Sequence, residues 1–182
     1  MNKVVITGHC EGIGKAIHSY FSSKNYSIIG YDTQVNLNLH EVEVYSKFLE
    51  DCKDASIIVL NAHTGEQHLC LREIYLKYHT LNKHIIVLGS MASKYWKTNS
   101  EVMAGMEKYW LEKKWLDKEV EFIQKSSKTI RVTIIRPTWV NTNLSKMYDG
   151  NKLSTANVVD ALDFIINSKT HIITLELEPC TN

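Results

Sequence analysis

With 182 residues and 44% hydrophobic content, the chain can bury the core of one domain and hardly that of two, so residues 1–182 read as a single domain. Lys and Arg number 21 against 20 Asp and Glu, a formal charge of +1, which excludes the global basic field that draws chains onto nucleic acid or anionic membranes. The longest apolar runs are strand-sized and the N-terminus reads into a strand instead of a signal peptide, so no membrane span is expected and the expected location is cytoplasmic. Cys10, Cys52, Cys70 and Cys180 form no CxxC pair, and reduced thiols are expected.

Short apolar runs alternate with longer segments of helical period, the pattern of a doubly wound α/β domain with a mainly parallel sheet and helices on both faces. Residues 4–6 form the first run, followed by Ile13, Ile17 and Phe21 at helical spacing. Residues 27–31 give a second strand, and Val42, Tyr45, Phe48 and Leu49 a second helix. After a third strand at 57–60 come Leu69, Ile74 and Leu76 on a helix, then a strand at 85–88. A long helix is predicted over 101–124, capped by Ser100 or Asn99, followed by a strand at 132–135. Val158, Leu162 and Ile165 mark the inner face of a helix over 155–166. In residues 173–178 apolar and polar side chains alternate, so that strand should have one wet face and lie at the sheet edge.

The stretch Thr7-Gly8-His9-Cys10-Glu11-Gly12-Ile13-Gly14 follows a strand and opens a helix. Glycines in that context permit a tight turn, close approach to a pyrophosphate and close helix packing, while free N–H groups and the helix dipole favour the anion. Asp32, 18 residues after Gly14, stands just past the second strand, where a carboxylate accepts hydrogen bonds from both adenosine ribose hydroxyls and repels a 2′-phosphate. Basic residues are missing from the positions that follow, and the loop carries Glu11. The arrangement therefore predicts a Rossmann-like domain that takes NAD(H) in preference to NADP(H).

The spacing Thr7-Gly8-x-x-x-Gly12-x-Gly14 resembles the glycine motif of the short-chain dehydrogenase/reductase family. Asn61-Ala62 after the third strand is similar to part of the family's Asn-Asn-Ala-Gly segment, with Leu60 in the first Asn position. The run that ends in Gly89-Ser90 resembles the strand leading to the family's serine, and Pro137-Thr138-Trp139-Val140-Asn141-Thr142 resembles the turn that lines the nicotinamide, with Thr138 in place of Gly. The resemblance covers nearly the whole chain. It implies cofactor contacts from Thr7, Gly8, Gly12, Ile13, Gly14, Asp32, Asn61, Ala62, Pro137 and Thr142. The chain departs from the family in a short crossover after Asp32, a compaction similar to the extended sugar-nucleotide reductases and epimerases, and in a brief substrate loop at 143–154. The helix over 66–79 also has no Asn to match the family's fourth catalytic residue.

In the family a Tyr acts as general acid/base, a Lys four residues later lowers its pKa, and a Ser orients the substrate oxygen. An unperturbed Tyr titrates near ~10, so exchange near neutrality needs a neighbouring cation. Three Tyr/Lys pairs have that spacing, Tyr20/Lys24, Tyr109/Lys113 and Tyr148/Lys152, and Tyr109/Lys113 lies on the long helix. The resemblance thus points to Ser90, Tyr109 and Lys113. The separation of 19 positions from Ser90 to Tyr109 exceeds the family's by about a turn and a half of helix; the usual spacing would instead put Met103 in the Tyr place and Glu107 in the Lys place. Upstream spacing favours Met103 and downstream spacing favours Tyr109, which leaves both an active enzyme and a degenerate NAD-binding protein as readings.

The eight histidines show no metal spacing, so no metal is expected. Trp110, Leu111 and Trp115 widen the apolar stripe of the long helix beyond one face, which suits a homodimer or homotetramer through the 101–124 helix. The lysines from 113 to 128 are interleaved with acids and read as a solvated face.

Overall fold

The computed structural model of the protein describes residues 2–95 and 106–180. Strand β1 (Lys3–Thr7) leads into helix α1 (Gly12–Ser23), strand β2 (Ser27–Tyr31) and, past a 3₁₀ turn, helix α2 (Val42–Asp54). Strand β3 (Ile57–Leu60), helix α3 (Gln67–Tyr78), strand β4 (Lys83–Leu88) and the one-turn helix α4 (Ala92–Tyr95) follow. Helix α5 (Glu107–Ser126), strand β5 (Ile130–Pro137), helix α6 (Thr155–Asn167) and strand β6 (Thr174–Leu177) complete the described elements.

The six strands form one sheet in the order β2-β1-β3-β4-β5-β6, and every pairing is parallel. Parallel strands need crossover helices, and these cover both faces, so β3 and β4 are buried along their whole length. Alternation along β1 shows the two layers directly. Val5 packs with Phe48, Leu71, Ile74, Leu116 and Val120 of α2, α3 and α5, whereas Val4 and Ile6 pack with Ile17, Phe21, Val158 and Leu162 of α1 and α6. Strand β6 pairs only on its β5 side and alternates between exposed and half-buried positions, as its sequence pattern predicts.

Three expectations change. The described part of the long helix begins at Glu107, because Met106 has the non-helical ψ of 13° and serves as its N-cap; the expected caps Asn99 and Ser100 and residues 101–105 lie outside the described residues. On α3 the buried face is Gln67, Cys70, Leu71 and Ile74, so Leu69 and Leu76, expected inside, are exposed. Lys113 also leaves the solvated face to which the charge pattern assigned it: it is only 4% exposed, since the apolar stripe of α5 turns that position toward the sheet.

Candidate active site and cofactor crevice

Strand order reverses between β1 and β3, and in open parallel sheets the loops at the carboxyl ends part at such a point to leave a crevice. The candidate residues of the sequence all come from that edge of the sheet or from α5. Thr7 ends β1, and its buried Oγ1 accepts from the backbone N–H groups of Asn61 and Ala62, both at 3.0 Å. Asn61 returns the contact by donating Nδ2 to the Gly8 carbonyl at 2.9 Å. The β1 and β3 loops are thereby locked together at the reversal. The Gly8 N–H donates to the Tyr31 carbonyl at 2.7 Å, which ties the same loop to β2.

Gly14 shows why the motif needs its last glycine: a Cβ there would sit 1.8 Å from the Gly8 carbonyl oxygen. The helix can approach the strand this closely only without a side chain. Gly12 has φ of +51°, and the methyl of Thr142 lies against it, so the turn after β5 closes over the glycine loop. Ile13 packs against the α1/α6 layer of the core. Pro137 ends β5, and its carbonyl accepts the Met91 N–H at 3.0 Å. Asp32 faces the loop from the end of β2, with Oδ2 receiving the Cys10 N–H at 2.9 Å and Oδ1 the Gln34 N–H at 3.0 Å. Burial pushes its pKa up, but these two N–H groups outweigh that and hold it below the ordinary value. The carboxylate stays charged.

The crevice fits a dinucleotide on three counts. No acid stands in the first turn of α1, and the carboxylate of its N-cap, Glu11, makes no capping hydrogen bond but is drawn aside by Gln34 and Asn143, so the backbone N–H groups of the terminus are left for a ligand. The loop keeps its backbone bare, since a Cβ at Gly12 would press on Thr142 and one at Gly14 on the Gly8 carbonyl, which lets a pyrophosphate approach closely. Thr138 Oγ1 is buried without a hydrogen-bond partner among the described residues, on the turn that resembles the nicotinamide-lining one.

Ser90, Tyr109 and Lys113 converge beside this crevice. Ser90 follows β4, its Oγ accepting the Ala92 N–H at 3.1 Å. Tyr109 lies near enough to Ser90 for that side chain to act on its titration. Lys113, one turn further along α5, lies with Nζ 5.7 Å from the Tyr109 ring centroid and donates to Gln67 Oε1 at 2.8 Å and the Leu88 carbonyl at 2.9 Å. Burial pushes the Lys113 pKa down to about 8 against the opposing pull of Asp117 and Glu112. Burial raises that of Tyr109, with the Ser90 side chain opposing and Glu112 adding to the rise. Met103, the competing position, lies outside the described residues.

Two residues of this cluster were not singled out by the sequence. Gln67 is 6% exposed and donates Nε2 to the Leu60 and Leu88 carbonyls at 2.6 and 3.3 Å while accepting from Lys113. It lies on the helix that lacks the family's Asn, and an amide one methylene longer was the available signal. His63 packs edge-on against Tyr109 with centroids 4.9 Å apart and places Nε2 3.0 Å from the buried carboxylate of Glu112. Burial lowers its pKa, and Lys113 lowers it further against Glu112.

No protein-family model matches the sequence, and no curated protein matches it. Solved structures do. The alcohol dehydrogenase from the archaeon Thermococcus sibiricus, complexed with 5-hydroxy-NADP, superposes with a TM-score of 0.76 at 16% identity, covering 100% of both chains. A short chain dehydrogenase from Burkholderia cenocepacia in complex with NADP gives 0.75 at 13% identity over 98% of this chain and 88% of that one. The 3-ketoacyl-(acyl-carrier-protein) reductase from Brucella melitensis complexed with NADH gives 0.73 at 14% identity over 97% and 96%. With the sheet order and the crevice at its reversal, these likenesses establish that the chain has the fold of the short-chain dehydrogenases and reductases.

Proposed function

We propose that the chain is a single-domain, NAD(H)-dependent oxidoreductase of the short-chain dehydrogenase/reductase family that interconverts a carbonyl and an alcohol on a small substrate. The observation that carries this reading is the buried Lys113 one turn from Tyr109, its Nζ 5.7 Å from the ring centroid, at the crevice of a dinucleotide loop. The nicotinamide would supply or take up the hydride. Tyr109 then gives the proton to, or takes it from, the substrate oxygen; Ser90 orients that oxygen, and the ammonium of Lys113 stabilises negative charge on the phenol. Gly8, Gly12, Ile13 and Gly14 hold the pyrophosphate, and Asn61, Ala62, Pro137 and Thr142 border the path toward the nicotinamide.

The preference for NAD(H) rests on Asp32, which is charged and aimed at the loop by two backbone donors. Four of the similar structures carry NADP, NADPH or 5-hydroxy-NADP and two carry NADH, so this residue, not the fold, supports the choice. Leu111, Trp115 and Phe122 of α5 and Leu76 of α3 are all exposed by 41% or more. They form an apolar face suited to a second copy of the chain, hence a homodimer or homotetramer. The described helices include none long and apolar enough to cross a membrane, and we place the protein in the cytoplasm, acting on a small molecule and not on nucleic acid.

Two observations favour a second reading, a dinucleotide-binding protein without turnover: Lys113 donates to Gln67 and Leu88, and the Tyr109 pKa is raised. NADH-linked turnover of a panel of small aldehydes and ketones separates the two. Activity that falls by about 10²-fold or more in Tyr109→Phe, at unchanged NADH affinity, supports the enzyme. NADH binding without turnover of any panel member supports the second reading, and equal activity in Tyr109→Phe removes the assigned acid/base.

A further inference from the structure

Three side chains able to ligate a metal meet where the glycine loop crosses the end of β2. A ring nitrogen of His9, the thiol of Cys10 and a carboxylate oxygen of Asp32 all lie within 4.8 Å of one another. Cys10 Sγ is 3.7 Å from His9 Nε2, and the Cys10 N–H holds Asp32 Oδ2 at 2.9 Å. The sequence hides this cluster because Asp32 stands 22 positions beyond Cys10.

The placement of the imidazole is built into the sheet. A Cβ on Gly30 would lie 2.4 Å from the His9 ring, so β2 is bare at the point where the ring rests. His9 Nδ1 is buried there with no hydrogen-bond partner among the described residues. The opposite ring nitrogen, Nε2, is the one that faces the Cys10 thiol.

A thiol, an imidazole and a carboxylate form a borderline-soft donor set that suits zinc-class ions, whereas Mg²⁺ and Ca²⁺ prefer oxygen ligands throughout. Bonds of about 2.0–2.3 Å in a tetrahedral site set neighbouring ligand atoms roughly 3.5 Å apart. The three groups need to close by about 1 Å, within the reach of side-chain rotation. Three protein ligands leave a fourth position for water.

We propose that His9, Cys10 and Asp32 bind a zinc-class divalent cation at the adenosine end of the crevice, and that this ion and the dinucleotide exclude one another. Binding displaces the thiol proton to solvent as the sulfur–metal bond forms. The ion also occupies the Asp32 lone pairs that would accept the ribose hydroxyls. The competition rests on the cofactor reading above; the metal site does not.

Titration of the protein with Co²⁺, a spectroscopic stand-in for zinc, tests both parts. The expected result is one equivalent bound with a thiolate-to-cobalt charge-transfer band that Zn²⁺ displaces. Cys10→Ser abolishes the band, His9→Gln weakens binding at least tenfold, and Cys180→Ser changes neither. NADH at saturation should raise the apparent cobalt dissociation constant at least tenfold. Absence of the band in the unmodified protein, or its survival in Cys10→Ser, overturns the site. A cobalt affinity unmoved by bound NADH overturns the competition. Failure of NADH to bind the metal-free protein, with the cobalt band present, would instead sink the cofactor reading and leave the metal site standing.

Discussion

Lys113 Nζ lies 2.8 Å from Gln67 Oε1, so the ammonium of α5 is moored to the first turn of α3 across the end of the sheet. Gln67 is itself fixed by the Leu60 and Leu88 carbonyls, which makes it a positioning residue for the lysine. Gln67→Leu keeps the volume and leaves Lys113 with the Leu88 carbonyl alone. The expected outcome is a loss of about 1–3 kcal/mol in denaturant unfolding together with a fall in kcat. Gln67→Glu should restore the acceptor and hold Lys113 charged to higher pH.

The pH profile should report Lys113. Burial places its pKa at about 8, while that of Tyr109 is raised, so the phenol keeps its proton over the range in which the lysine loses its own. Carbonyl reduction should therefore decline as pH rises through about 8. Asp117 opposes the lowering of the Lys113 pKa. It is held by Ser93 at 2.7 Å and by Arg136 at 3.1 Å. In Asp117→Asn the decline should begin at lower pH, which a kcat/KM profile measures; an unmoved limb would assign it to another group.

Cofactor discrimination should rest on Asp32. Removing its carboxylate deletes charge-assisted hydrogen bonds to the ribose, each worth about 1.5–3 kcal/mol, and also the repulsion of a 2′-phosphate. Calorimetry should show NADH bound more tightly than NADPH by the unmodified protein, with the gap narrowed at least tenfold in Asp32→Ala. Equal or tighter NADPH binding by the unmodified protein would refute the assignment.

Acid stability should depend on His84. The residue is 6% exposed, its Nε2 lies 2.8 Å from Thr133 Oγ1, and burial, with Arg131 and His171, pushes its pKa down to about 4. A histidine with a depressed folded-state pKa takes up its proton more readily when unfolded. Stability is therefore complete above the unfolded value near ~6.5 and is lost as pH falls toward about 4, by roughly 3 kcal/mol across that window. Denaturant unfolding of His84→Leu should lack that component of the acid slope.

The parts of this molecule legible in the sequence are those coded locally. Residues 57–60 read as a buried strand because both faces carry apolar groups; residues 27–31 read the same way, but β2 lies at the sheet edge and only its Tyr31 is buried. The place of Asp32 just past β2 follows from the strand end. Tertiary pairs were not legible. Gln67 and His63 gain their meaning only when α3 and α5 bring Lys113, Tyr109 and Glu112 against them. Leu69 and Leu76 were misplaced because exposure on α3 is set by which turn meets the sheet, and Cys70 and Leu71 meet it instead. The spacing alone fits either Tyr109 or Met103; what α5 adds is Lys113, held at the end of β4 by the Leu88 carbonyl and beside the Tyr109 ring.

The most direct test of the account is a crystal structure of the protein soaked with NADH. The account predicts the pyrophosphate on the Gly8–Gly14 loop, the adenosine ribose hydroxyls on Asp32, and the nicotinamide C4 facing a pocket bounded by Ser90 and the Tyr109 hydroxyl. A dinucleotide bound elsewhere, or a nicotinamide in the crevice whose C4 faces Met103 with Tyr109 about a turn and a half away, would contradict it.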